Sequence, residues 1–194
     1  MTTPRLATII CSTRPGRVGH HVGRWFHGVA SSHTAFDPVL IDLAQVGLPL
    51  LDEPNHPLSG QYTREHTLNW SQQIDEVDAV VFVVPEYNHS FNAASKNAID
   101  YLNREWNDKS VGFVSYGGVA GGTRAVQALK PVILAVKAVP VLESVNIPGI
   151  GGLIVKDTFA PPEGLEDAAL VMLDELARRE HCLSNLRPVR AAKA

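Results

Sequence analysis

The residues best suited to chemistry form a loop near the N-terminus that combines hydroxyl groups, guanidinium groups and glycine. This loop, Ser12 to Gly19, directly follows the apolar run Leu6 to Cys11, and a helical pattern from His20 to Ser31 comes next. Unpaired backbone N–H groups and the positive end of the helix dipole favour an anion at the start of a helix. Because a guanidinium can fork onto two phosphate oxygens, Arg14 and Arg17 favour a terminal phosphate over a bridging pyrophosphate.

A second polar loop follows the strongest strand pattern in the chain. Ala79 to Val84 is a continuous β-branched run, which predicts a central strand covered on both faces, and it ends at Pro85. Glu86, Tyr87 and Asn88 come next. The Tyr87 ring suits the side of a planar heterocycle, and Asn88 tolerates a tight turn.

A third loop follows the predicted strand Ser110 to Tyr116. Its residues are Ser115, Tyr116, Gly117 and Gly118. Glycine lets backbone N–H groups approach a ligand closely, and the next predicted helix adds a preference for negative charge. A phosphate pocket, an aromatic wall and an amide-lined pocket together describe a site for flavin mononucleotide (FMN).

Strand and helix patterns alternate along the chain, which predicts an α/β fold with a parallel sheet and helices on both faces. In such sheets, ligands bind beyond the carboxyl ends of the strands, so the three polar loops are expected to converge. The predicted strands are Leu6–Cys11, Val39–Leu43, Ala79–Val84, Ser110–Tyr116 and Val139–Val145. The predicted helices are His20–Ser31, Tyr62–Ile74, Ala93–Leu102, Thr123–Val136 with a kink at Pro131, and Gly164–Cys182.

Length and composition predict one domain over residues 1–187, followed by a frayed C-terminal tail over 188–194. The formal net charge of -3 gives no reason to expect a nucleic-acid partner. No apolar run approaches the roughly 20 residues that cross a bilayer, so no membrane partner is expected. Two cysteines make neither a disulfide framework nor a zinc site, no metal ligands are predicted, and we expect a cytoplasmic location.

The chain resembles the NADPH-dependent FMN reductase family, flavodoxin-like proteins that include quinone, azo-dye and chromate reductases. The resemblance covers about residues 6–145. The matching segments are Ser12 to Arg17, Pro85 to Asn88, Lys96 to Leu102, Ser115 to Gly118, and Gly121-Gly122. It implies a three-layer sandwich with strand order 2-1-3-4-5, bound FMN, and NADPH or NADH as co-substrate. It also implies a small-molecule electron acceptor and a homodimer or homotetramer.

The resemblance also implies roles for individual residues. Ser12 and Arg14 would hold the phosphate together with the amides of Arg17, Val18 and Gly19. Pro85, Glu86, Tyr87 and Asn88 would contact the flavin ring, and Ser115, Tyr116, Gly117 and Gly118 its far edge. Many relatives have serine and asparagine where this chain has Arg17 and Gly19, so Arg17 is expected to replace hydrogen bonds with charge. Phe91-Asn92 also departs from the family pattern, and Phe91 is expected to narrow the space over the flavin.

Other interpretations stay open at this stage. Asp42 ends the second strand where a ribose-binding acid of a Rossmann site would lie, although the G-x-G-x-x-G pattern is absent. A non-catalytic electron carrier is a second class, and a flavin-binding regulatory protein is a third. Because the flavin performs the redox chemistry, no residue is predicted as a proton-transfer catalyst.

Overall fold

The computed structural model describes residues 3–187 and contains a five-stranded, wholly parallel sheet in the order β2-β1-β3-β4-β5. The α/β class and the strand order expected from the family are therefore confirmed. The strands are β1 (Arg5–Ile10), β2 (Asp37–Asp42), β3 (Ala79–Pro85), β4 (Ser110–Tyr116) and β5 (Val139–Ile147). All residues of β3 and β4 are buried, as their continuous apolar sequences predict.

Six α-helices accompany the sheet within the described residues. They are α1 (Gly19–Ser32), α2 (Leu43–Val46), α3 (Glu65–Asp75), α4 (Ala93–Asp100), α5 (Thr123–Ala135) and α6 (Leu165–Leu183). One core cluster joins α3, α4 and α5 to one face of the sheet, with Trp70, Trp106 and Leu129 among its members. A second cluster joins α1 and α6 to the other face through Phe26 and Leu173. The three-layer arrangement follows from these two cores.

Local differences from the predicted elements are confined to connections. The predicted second strand ends at Asp42 rather than Leu43, because the Asp42 carboxylate accepts from the Ala44 amide and caps α2. Helix α6 follows β5 as predicted, but not directly. A ribbon of β6 (Ile154–Val155) and β7 (Thr158–Phe159) intervenes before α6. Two residues at positive φ make its turn, which the sequence pattern did not indicate.

Helix α5 runs from Thr123 to Ala135 across Pro131. The predicted tail, 188–194, lies outside the described residues. No helix among residues 3–187 is long and apolar enough to cross a membrane.

The long segment 47–60 after α2 is tied to the helices beside it. Asn97 donates to the Pro49 carbonyl at 2.6 Å, and its own side-chain oxygen accepts from the Leu51 amide at 3.0 Å. Glu53 accepts from the amides of Thr63 and Arg64 ahead of α3. These contacts order a stretch that lacks regular structure of its own apart from one short 3-10 turn.

The register places the ends of three strands side by side. Ile10 pairs with Val83, and Pro85 pairs with Tyr116. The polar loops after β1, β3 and β4 therefore share one edge of the sheet, as predicted.

Candidate functional site

The first loop presents backbone N–H groups that are free for a ligand. The amides of Val18, Gly19 and His20 donate to no group within residues 3–187. They lie at the start of α1, where the helix dipole adds partial positive charge. The Arg17 amide is different, because it donates to the Arg14 carbonyl at 3.2 Å. The Arg17 amide, which the resemblance implies as a phosphate ligand, is thus occupied within the loop.

Two buried hydroxyl groups form the floor beneath this loop. Ser12 Oγ and Tyr116 OH have no hydrogen bond of acceptable geometry within the described chain, although both are shielded from solvent. A Cβ atom added to Gly19 would lie 2.3 Å from each of these oxygens. Only glycine fits here, since the loop backbone rests directly on the two hydroxyls. Burial raises the pKa of Tyr116 well above its ordinary value, so its hydroxyl remains a donor.

Tyr116 reaches this floor from β4, whereas the loop itself follows β1. It is the last residue of β4, and β3 lies between β4 and β1 in the sheet. The family resemblance implies that Tyr116 lies with the third loop, at the far edge of the flavin. The structure instead places its hydroxyl beside Ser12 and Gly19. The spacing of the motifs held no indication of this contact.

The Arg17 guanidinium turns away from the free amides and onto a carboxylate. Its two terminal nitrogens lie 2.7 and 2.5 Å from the two Asp42 oxygens, and one also donates to the Ser12 carbonyl at 2.8 Å. Only 18% of the Arg17 side chain and 10% of the Asp42 side chain are exposed. In this arrangement the Arg17 side chain is bound to Asp42 and is not left free for the expected phosphate contact. Both oxygens of the Asp42 carboxylate accept hydrogen bonds from Arg17, which disfavours a role for Asp42 as a ribose ligand.

A groove of about 530 Å³ runs along the outside of the loop, and Arg14 and Arg24 are among the residues that line it. The only hydrogen bond of the Arg14 guanidinium within residues 3–187 is to the neighbouring Pro15 carbonyl, so its charge is available to a ligand. His21 pairs with Asp157 of the β6–β7 turn at 3.1 Å. Burial, with the nearby His21, lowers the pKa of His20. Arg14 is therefore the guanidinium of this loop that is free to meet an anion.

The second loop is a tight turn closed by two backbone hydrogen bonds between Tyr87 and Ser90. Asn88 and His89 both have positive φ, at 50° and 67°, which fits the tolerance for a tight turn expected of Asn88. Tyr87 is 37% exposed and presents its ring at the surface of the site. A planar ligand would meet this ring.

Glu86 supports the turn from behind. Its carboxylate lies 2.5 Å from Arg124 Nε and accepts from the Arg124 amide at 3.2 Å, so it is bound to the start of α5. Arg124 also contacts His89 Nε2 at 2.8 Å. The Glu86 side chain, only 7% exposed, is therefore not free for the predicted ring contact. His89 itself is exposed.

The sequence pattern gave no indication that Asn92 links two of the loops at the site. Its side-chain amide donates to the Cys11 carbonyl at 2.7 Å and its oxygen accepts from Ser95 at 2.7 Å. The residue thus joins the end of the second loop to the end of β1. Phe91 is half-buried and packs against the core cluster of α3, α4 and α5.

The third loop offers fewer free groups than its glycines suggest. The Gly117 amide donates to the Ile147 carbonyl at 3.2 Å and is therefore already occupied by a backbone partner. The Ser115 hydroxyl lies 2.8 Å from the Gly121 carbonyl and 2.9 Å from Asn146 Oδ1, and is likewise occupied. Gly118 keeps an amide without a partner in the described chain. No group of three or more His, Cys, Asp or Glu residues within 3–187 could hold a metal ion.

Comparison with known proteins gives a consistent result. Residues 4–151 match the family described as NADPH-dependent FMN reductase. An NAD(P)H-dependent FMN reductase of Schizosaccharomyces pombe is 38% identical over 150 residues, which cover 75% of this chain and 74% of that protein. Another from Saccharomyces cerevisiae is 37% identical over 146 residues, or 71% of each chain.

The solved structures agree with the fold. The flavoenzyme NAD(P)H:(acceptor) oxidoreductase FerB of Paracoccus denitrificans matches with a TM-score of 0.72 and 22% identity, over 92% of this chain and 98% of that one. The resemblance noted from the loop motifs is confirmed. The expected class of enzyme, an oxidoreductase that uses FMN and NAD(P)H, is confirmed through the family. The chain belongs to the NADPH-dependent FMN reductase family.

Proposed function

We propose that this protein is an FMN-dependent oxidoreductase that takes hydride from NAD(P)H and reduces a small acceptor such as a quinone, a free flavin or an azo compound. The observation that carries the proposal is the first loop, with three unpaired amides above two buried hydroxyls. When bound, FMN supplies the redox chemistry, and the protein supplies position and electrostatics.

The residues of the first loop fit the phosphate end of FMN. The amides of Val18, Gly19 and His20 are unpaired donors at a helix N-terminus, which is a suitable environment for a phosphate. Arg14 adds a guanidinium without a carboxylate partner in the described chain. Ser12 Oγ, buried and without a good hydrogen bond, adds a further polar group next to the same loop.

The other two loops suit the ring. Tyr87 provides an exposed aromatic face, and the closed turn around Asn88 and His89 fixes its position. The free Gly118 amide lies shortly before α5, whose N-terminus favours negative charge. Donors at this position would stabilise charge that reduction places on the pyrimidine edge of the flavin.

We also propose a homodimer or homotetramer in the cytoplasm. Leu50 and Leu58 on the long segment are 81% and 72% exposed, which suits an interface with another copy of the chain. Cys11 and Cys182 are both free thiols, which suits a reducing compartment. Light scattering after gel filtration measures the oligomeric state directly.

The test begins with the purified protein. We expect a yellow protein that releases FMN on denaturation, identified by chromatography against FMN, FAD and riboflavin standards. Steady-state kinetics with NADPH or NADH and a quinone should then show turnover, whereas an electron carrier or a regulatory protein should show almost none. A protein that fails to take up FMN supplied in excess would contradict the proposal.

A further inference from the structure

The Arg17–Asp42 ion pair joins the first loop, Ser12 to Gly19, to the end of β2, and we call this ion pair the brace. Both terminal guanidinium nitrogens contact the carboxylate, at 2.7 and 2.5 Å, and the pair is largely buried. A bidentate contact of this kind fixes orientation as well as distance. The pair therefore fixes the loop relative to the end of β2.

Further contacts extend the brace in both directions. On the loop side, Arg17 donates to the Ser12 carbonyl at 2.8 Å. On the other side, Asp42 accepts from the Ala44 amide at 3.0 Å and so caps α2. Four chain segments thus meet at one ion pair: the end of β1, the loop, the end of β2 and the start of α2.

Few other contacts hold the tip of the loop in place. Thr13, Arg14, Pro15 and Gly16 are all exposed. Within residues 3–187 the polar contacts of these four residues stay inside the loop: the Arg17 amide donates to the Arg14 carbonyl, and Arg14 Nη1 donates to the Pro15 carbonyl. The Arg17 side chain is therefore the contact that joins this exposed tip to the end of β2, immediately ahead of the free amides at Val18 to His20.

We propose that Arg17, held by Asp42, is a positioning residue that makes the site selective for flavin carrying a phosphate over riboflavin, without touching the phosphate itself. The proposal rests on the proposed function. When the brace is absent, the loop amides must be ordered at the moment of binding. Ordering the backbone of a single residue lowers affinity by about tenfold. Riboflavin has no phosphate to bind to these amides, so its affinity does not carry that cost.

The opposite interpretation, in which Arg17 binds the phosphate directly, makes a different prediction. Asp42→Asn would then free the guanidinium, and FMN would bind as well as before or more tightly. In our proposal the same change weakens FMN binding, because asparagine cannot make the bidentate ionic contact. The Ala44 cap survives this substitution, since the amide oxygen of asparagine also accepts.

The experiment measures the dissociation constants of FMN and riboflavin for apoprotein by quenching of flavin fluorescence. We expect Arg17→Met and Asp42→Asn to raise the FMN constant by about tenfold or more and the riboflavin constant by less than about threefold. Arg17→Lys should be intermediate, because an ammonium cannot fork onto both oxygens. If Arg17→Met does not fold, Asp42→Asn alone decides the matter.

Arg187→Met is the matched control. Arg187 is similarly buried, pairs with Glu180 and Asp78, and lies near the start of β3, at the opposite edge of the sheet. It should lower the melting temperature without changing the ratio of the two constants.

Three results would count against our assignments. An equal loss of both flavins, or an unchanged ratio in a folded Asp42→Asn variant, would overturn the positioning role while leaving the proposed function intact. A wild-type protein that binds neither flavin would instead overturn the proposed function itself.

Discussion

The floor beneath the first loop predicts that Gly19→Ala will separate flavin binding from folding. The added Cβ would lie 2.3 Å from both Ser12 Oγ and Tyr116 OH, and 3.1 Å from Tyr116 Cζ. Ordinary carbon–oxygen contacts are about 3.3 Å or longer, so each oxygen would have to retreat by roughly 1 Å. Both side chains are buried, so the loop is expected to lift away from them.

The magnitude follows from two opposing effects. Overpacking costs about 1–3 kcal/mol, whereas alanine in place of glycine in a helix contributes about 1 kcal/mol. The net loss of stability should be about 0–2 kcal/mol, or a melting temperature lower by up to about 8 °C for a chain of this size. The FMN affinity should fall by at least about tenfold, since the amides move with the loop.

Gly28→Ala supplies the control within the same helix. Nothing lies within 4 Å of a Cβ at that position, which is exposed. The substitution should raise the melting temperature and leave FMN binding unchanged. The assays are thermal unfolding by circular dichroism and titration of apoprotein with FMN.

A partial rescue would strengthen the case. Tyr116→Phe removes one of the two clashing oxygens, so the double variant Gly19→Ala/Tyr116→Phe should recover part of the lost stability. If Gly19→Ala matched Gly28→Ala in both stability and FMN affinity, the close contact between loop and floor would be refuted.

Three further predictions concern the site and its surroundings. Arg14→Ala should weaken FMN binding by about tenfold in titrations of apoprotein, with an unchanged melting temperature, because its only hydrogen bond within residues 3–187 is to Pro15. Phe91→Ala should lower stability by about 2–4 kcal/mol in denaturant melts and leave the acceptor profile unchanged, because the ring packs on the core; an altered profile with full stability would contradict this. Burial raises the pKa of the Glu53 carboxyl, but hydrogen bonds, including those from the Arg64 and Thr63 amides, outweigh this effect. They hold the pKa of Glu53 at about 2. The contribution of Glu53 to folding stability should be present above the unfolded-state pKa near 4.5 and lost as the pH falls toward 2. The melting temperature of Glu53→Gln should therefore vary less with pH between these two values than that of the wild type.

Much of the fold is visible in the sequence because the central strands are unambiguous. Ala79 to Val84 has no polar interruption, and a strand buried on both faces in a parallel sheet needs such a run. The ribbon β6–β7 is different. Its two-residue strands are too short for a periodic pattern, and Phe159 is buried against Trp25 only because α1 lies beside it. Contacts of this kind arise from tertiary packing.

The candidate site was predictable as a set of loops but not as a set of contacts. Residue type alone suggested that Arg17 binds phosphate. Its carboxylate partner, Asp42, is 25 positions away, and the pairing exists only because β2 lies next to β1. In the same way, the Gly117 amide looks free in the sequence, but the β4–β5 pairing occupies it. Sheet register therefore decides which groups remain available.

Charged and uncharged groups have different roles at this edge of the sheet. Arg17 is neutralised by Asp42 and Arg124 by Glu86, and each pair links a loop to a neighbouring element. The groups left without partners in the described chain are mostly backbone amides, together with the Arg14 guanidinium of the first loop. Because the loops are already braced, little conformational freedom remains to be lost when a ligand binds. The conspicuous charges thus build a rigid frame, and the affinity for an anionic nucleotide depends on the amides that the frame holds in place.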